Sequence, residues 1–119
     1  MFQDLFNKAV DRMVLQKWER VTAEDRHTCL YYRESDGFRC AYGALLSEED
    51  AKRATQSNLS AEDMVRYGKV PDGCTSSPEL GRFVIALQQA HDRGDAPGVM
   101  RYNFLRLAMS YDLDASKIV

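Results

Sequence analysis

The sequence predicts a mainly α domain of the α+β type: a compact single body of five or six helices carrying one short β-hairpin. Three observations lead to it. Apolar residues recur three and four positions apart over most of the chain. Serines at 47, 60 and 77 are each followed by acidic residues or proline, the mark of a helix start. One stretch rich in aromatic residues, ending in Asp-Gly, breaks the helical pattern. No repeat or linker divides the 119 residues, and a chain of this length buries a core without disulfides or metal.

The first helix is expected over residues 2–18, where Phe2, Leu5, Phe6, Ala9, Val10, Met13 and Trp18 share a face. A polar run then leads to a strand over residues 28–32, a turn at Glu34, Ser35, Asp36 and Gly37, and a brief return strand from Phe38 to Cys40. Asp36-Gly37 suits a type I′ turn, or a type I turn followed by a left-handed glycine. From Ala41 the pattern turns helical, with Tyr42, Leu45 and Leu46. Ser47 followed by Glu48, Glu49 and Asp50 starts the next helix, to about Thr55, with carboxylates where the amino-terminal dipole favours them. Ser60 with Asp63 opens a short helix closed by Gly68, and KVPDGCTSSP is a loop. Ser77 caps a long helix with Pro78 in its first turn and Leu80, Phe83, Val84, Leu87 and Ala90 on one face, ending near Gly94. Asp95 and Pro97 begin the last and most apolar helix, and residues 111–119 form a short extension.

Composition narrows the function classes. With 16 basic and 18 acidic residues the net charge is −2, so a broad cationic face for nucleic acid is not expected. The start, MFQDLFNKAVDRM, lacks the apolar core of a signal peptide, and no run reaches membrane-spanning length, so a cytoplasmic protein without a membrane partner is expected. Three cysteines, Cys29, Cys40 and Cys74, suit reduced thiols better than a disulfide framework.

Four constellations carry chemistry. The small residues Cys40, Ala41, Gly43 and Ala44 allow close helix approach. The same Cys40 would stand at a helix amino terminus, where a thiolate is stabilised, and could pair with His91 as base and Asp92 as its orienter. His27, Cys29, Cys40, Cys74 and His91 are metal-ligand types without the paired close spacing of a zinc site, so neither metal nor cofactor is expected. His91 and Asp92 suit a helix carboxyl end structurally, or recognition, with Asp92 gripping an arginine of the hairpin. Tyr31, Tyr32, Arg33 and Arg39 set aromatic rings beside guanidinium forks, which matches a nucleotide base and phosphate or a protein hot spot; a solvated hairpin edge with a local ion pair is the plainer alternative. Neither a phosphate-binding glycine loop nor G-x-S-x-G occurs.

The segment Y-R-E-S-D-G-F-R-C-A-Y-G-A-L-L, followed later by L-Q-Q-A-H-D, resembles small uncharacterised bacterial and phage proteins built around Y-R-x-x-D-G-x-x-C-A-x-G-x-L and L-Q-x-x-H-D. Tyr32, Arg33, Asp36, Gly37, Arg39, Cys40, Ala41, Gly43 and Leu45 match the first pattern, and Leu87, Gln88, His91 and Asp92 the second. Ala44 and Ser47 stand where that group carries a second cysteine and a proline. The resemblance implies a phage-associated role in blunting host defence, by binding a host protein or sequestering a nucleotide signal.

The resulting expectation is a non-enzymatic binding protein whose site is Tyr32, Arg33, Asp36, Arg39, His91 and Asp92, and whose partner is a host protein or a nucleotide-type small molecule. The alternatives are a small cysteine-dependent hydrolase using Cys40, His91 and Asp92, and a structural adaptor that forms a homodimer through its helices.

Overall fold

A computed structural model describes residues 2–21, 30–57, 59–71 and 73–119. Among them lie six helices: α1 (Phe2–Leu15), α2 (Ala41–Ala44), α3 (Glu48–Ser57), α4 (Ala61–Arg66), α5 (Pro78–Asp92) and α6 (Pro97–Ser110). Helix α5 is the hub, packing against α1, α2, α4 and α6. Its inner face buries Leu80, Phe83, Val84 and Leu87, which meet Phe6 and Met13 of α1 and Met100 and Phe104 of α6 in one core. None of these helices is long and apolar enough to cross a membrane.

The expected caps form. Ser47, Ser60 and Ser77 accept hydrogen bonds from the backbone N–H groups of Asp50, Asp63 and Leu80, each at 3.1 Å, satisfying donors that the first turn of a helix leaves unpaired. The first helix is shorter than its apolar pattern. Lys17 and Trp18 take left-handed conformations (φ 58° and 60°), which end it after Leu15. The reversal costs roughly 1–2 kcal/mol per residue in sterics, and burial of the Trp18 ring against Phe104 at 5.5 Å offsets it.

The expected β-hairpin is not formed among the described residues; Thr28 and Cys29, at its start, lie outside them. The turn itself is present. Gly37 has φ 74° while Asp36 stays at negative φ, which excludes type I′. The Arg33 carbonyl accepts from Gly37 N–H at 2.7 Å, and Arg33 N–H donates to the Phe38 carbonyl at 2.8 Å. Beyond that, Cys40 N–H reaches the Leu30 carbonyl across the two arms at 3.3 Å, but the residues between bond elsewhere. Tyr32 N–H donates to the Thr55 hydroxyl at 3.0 Å. Arg39 gives its N–H to Gln16 Oε1 at 2.6 Å, and its carbonyl accepts from Gln16 Nε2 at 2.9 Å. A glutamine amide from the end of α1 thus replaces a neighbouring strand, and backbone groups satisfied in this way need no ladder.

Residues 111–119 contain no helix. The chain folds back over α1, where the Gln3 side chain both donates to the Asp114 carbonyl at 2.9 Å and accepts from its N–H at 2.8 Å.

Candidate functional site

Most of the residues singled out by the two sequence patterns hold the fold together. Gln88, deep on α5, accepts from Tyr42 N–H at 2.8 Å and donates to Asp92 Oδ1 at 2.7 Å. His91 Nε2 accepts from Val21 N–H at 3.0 Å, which makes Nδ1 the protonated nitrogen, and Nδ1 donates to the same Asp92 oxygen at 2.9 Å. L-Q-x-x-H-D is therefore a polar clamp. It joins α5 to the amino end of α2 and to the backbone after α1, and the fully buried Leu87 packs beneath it. Asp92 grips no hairpin arginine with its carboxylate, contrary to expectation; its backbone carbonyl accepts instead from Arg20 at 3.0 Å.

The first pattern reads similarly. Arg33 and Asp36 form a two-point pair, at 3.1 Å through Nε and 2.6 Å through Nη2, with Glu19 at 3.3 Å. The arginine holds the Asp36 carboxyl below its ordinary range, and that bond to Asp36 in turn raises Arg33. Asp36 also accepts from Phe38 N–H at 3.0 Å, fixing the turn. Gly43 faces the Tyr31 carbonyl so closely that a Cβ would overlap it. Tyr31 and Tyr42 are fully buried, edge to face at 5.9 Å. Their hydroxyls donate to the Leu59 and Lys69 carbonyls, and burial pushes the Tyr42 phenol up to about 12.

Cys40 is fully buried and its Sγ accepts from Gly43 N–H at 3.4 Å, capping α2. With both His91 nitrogens held by other groups, the thiol and the imidazole make no hydrogen bond to each other, and a substrate has no access to the sulfur. Among the described residues no three His, Cys, Asp or Glu side chains gather as a metal site. His27 and Cys29, two of the ligand types considered above, lie outside those residues.

Two site residues remain. Tyr32 is half-buried, with the Lys52 ammonium 4.9 Å and the Arg39 guanidinium 5.6 Å from its ring and its hydroxyl on Glu48 at 3.2 Å. Its faces are thus occupied from within the protein. Arg39, expected at an exposed hairpin edge, is only 9% exposed, because Gln16 pins its backbone beneath α1. Nη1 donates to the Leu46 carbonyl at 3.0 Å and, at the 3.5 Å limit, to that of Gly43. Nε is buried and has no hydrogen-bond partner, Nη2 donates to no described group, and no carboxylate forms an ion pair with the guanidinium among the described residues. Burial lowers its pKa and the nearby Arg12 charge lowers it further, against the opposing pull of Glu48.

Arg39 forms part of the wall of a cleft of about 260 Å³. On one side Leu15, Asp11, Arg12 and Lys8 descend from α1; on the other, Ala44 and Leu46 continue the wall. Neither Lys8 nor Arg12 has an ion-pair partner among the described residues, whereas Asp11 pairs with Lys117 at 3.6 Å. Lys8 and Arg12 were not among the expected site residues. No sequence signal singles them out: Lys8 and Arg12 are four apart on α1, but Asp4 stands four before Lys8 and Asp11 three after it, as on any solvated helix face. Two other clefts lack a buried cation with an unpartnered nitrogen. One of about 340 Å³ beside α3 and α4 holds Asp50 and Arg53, already paired at 2.9 Å. A groove of about 420 Å³ between α5 and α6 carries Arg93 and Arg106 and no carboxylate, but both arginines are exposed, and Asn103 bridges it by donating to the Ala90 carbonyl at 3.2 Å. In comparisons with models of protein families, with curated proteins and with solved structures, the chain matches none.

Proposed function

We propose that this chain is a small non-enzymatic binding protein that captures an anionic ligand in the cleft between α1 and the Arg39 corner. One observation carries the reading: a guanidinium removed from water keeps its Nε–Nη2 edge without a protein partner. A buried Nε without a partner is costly for stability, and a guanidinium edge is what grips the oxygens of a carboxylate or phosphate. Tyr32 and Arg33 then act indirectly. Tyr32 packs beside the guanidinium, and Arg33 with Asp36 shapes the turn that delivers it. The resemblance to small phage proteins supports a setting in the host cytoplasm, where binding such a ligand would blunt a defence signal.

A second reading has its own observation. On α6, Val99, Tyr102 and Met109 are 44%, 57% and 80% exposed and share one face, which favours a protein partner or a second copy of the chain.

Thermal melting against mono-, di- and cyclic nucleotides and small dicarboxylates tests the first reading. Ligand at about 100 times its Kd contributes roughly 2.7 kcal/mol, an upward shift of about 10 °C for a domain of this size. A shift that disappears in Arg39→Met is the expected result. Silence across the panel overturns small-anion capture, and light scattering against concentration then tests the α6 face.

A further inference from the structure

Resting on the binding reading above, we propose that the cleft is built for a phosphoryl group borne by a small molecule, with the incompletely bonded Arg39 guanidinium in its wall and Arg12 and Lys8 supplying the remaining charge. Three cationic side chains share this cleft with one carboxylate, Asp11, which Lys117 already draws away at 3.6 Å. A carboxylate ligand carries a single negative charge and two oxygens, so the Arg39 fork alone would satisfy it. Arg12 and Lys8 would remain in mutual repulsion with Arg39. A phosphate monoester carries about −1.5 to −2 charges at neutral pH and three terminal oxygens, which matches the charge and the number of donors the cleft offers.

The dimensions agree. At about 260 Å³ the cleft falls below the roughly 300–1,000 Å³ of pockets that enclose a drug-sized ligand. It holds a head group and leaves most of the organic part at the rim. There Leu15 is 69% exposed, although it lies in the cleft wall beside Ala44 and Leu46. That apolar rim suits a ring or chain attached to the phosphoryl group, and the arginine fork suits its oxygens. Anchoring favours the same assignment. Gln16 holds the Arg39 backbone and the Leu46 carbonyl holds Nη1, so the fork is fixed before any ligand arrives.

The test uses the intact chain and follows the side-chain Nε–H resonance of Arg39 by nitrogen-15 NMR, at constant ionic strength. Inorganic phosphate, phenyl phosphate, acetate and glutarate are the probes. A saturable shift with both phosphates is expected, tighter for the phenyl ester because of the apolar rim. Binding should strengthen several-fold between pH of about 5.5 and about 7.5, as the second phosphate proton leaves. Arg12→Ala and Lys8→Ala, on the helix surface and so expected to fold, should each weaken phosphate binding by about tenfold. Arg66→Ala, on another helix, should not. Saturation by acetate or glutarate with phosphate silent overturns the phosphoryl assignment and leaves anion capture standing. A shift that never saturates, or that Arg66→Ala weakens as much as Arg12→Ala does, overturns it as diffuse ionic attraction. Failure of all four probes to move Arg39 removes both readings together.

Discussion

Two buried polar side chains, His91 and Arg39, show how differently one small core treats its charged and titratable groups. His91 is fully enclosed, and each ring nitrogen meets a partner, Val21 N–H on one side and Asp92 on the other. Arg39 is nearly as enclosed, yet its Nε has no partner, and the residue lines a cleft shared with two more cations. The first arrangement is what a structural role requires: a complete buried network rigidifies the fold and leaves no chemistry over. The second is poor structural design, because a buried charge without a matching anion opposes folding. Residues that prominent sequence patterns single out can therefore be the least available for function. The candidate site lies where satisfaction is incomplete.

If that contrast is right, the two positions respond unequally to truncation. His91→Ala strands Val21 N–H in the interior, removes a partner of Asp92 and leaves a cavity, so it should cost about 3 kcal/mol in a urea unfolding experiment. A loss below about 1 kcal/mol would mean that the clamp is not what joins α5 to the segment after α1. Arg39→Met keeps the volume of the stem and removes the unmatched charge while the Leu46 carbonyl loses a donor, so stability should fall by no more than about 1 kcal/mol, while anion binding disappears. A large loss of stability there would make Arg39 structural and erase the distinction between the two sites.

The smallest effect belongs to the turn beside Arg39. Because Arg33 lowers the Asp36 carboxyl from its ordinary value of 3.8, the pair contributes stability in full above that pH and loses it as pH falls through the lower folded-state value. The group is partly exposed, so the contribution is below about 1 kcal/mol. Melting curves of the wild-type chain and Asp36→Asn should therefore differ by a constant margin from neutral pH down to about pH 5 and converge at more acidic pH. A margin that persists at the acidic end would show that the ion pair is not what separates the two chains.

The outcome of each sequence expectation follows from the range of the interactions behind it. Ser47, Ser60 and Ser77 are caps because the groups they satisfy lie three residues ahead, and Gly37 and Gly68 are left-handed because the turns that need them are local. The inner face of α5 was legible for the same reason, through periodicity within a single helix, whereas apolar content alone did not show that Val99 and Met109 of α6 stay exposed. The ladder is incomplete because the Tyr32 and Arg39 backbone groups find partners outside it, in Thr55 and Gln16, and no strand propensity in residues 28–40 reports on a glutamine at the end of another helix. The expected grip of Asp92 on a hairpin arginine is not formed: Arg33 pairs with Asp36, which lies three residues away and needs no chain closure to meet it.

By itself, then, the sequence determined a helical domain, the capped starts of three of its helices and the Asp-Gly turn, all of which rest on contacts within a few residues. Only the tertiary structure decided which polar residues were left with capacity to bind. Gln16 reaches Arg39 across 23 positions, Gln88 reaches Tyr42 across 46, and His91 reaches Val21 across 70. Whether a guanidinium ends up solvated, paired or buried with an unused edge depends on which distant backbone segment is packed over it, and a linear pattern does not encode that packing locally.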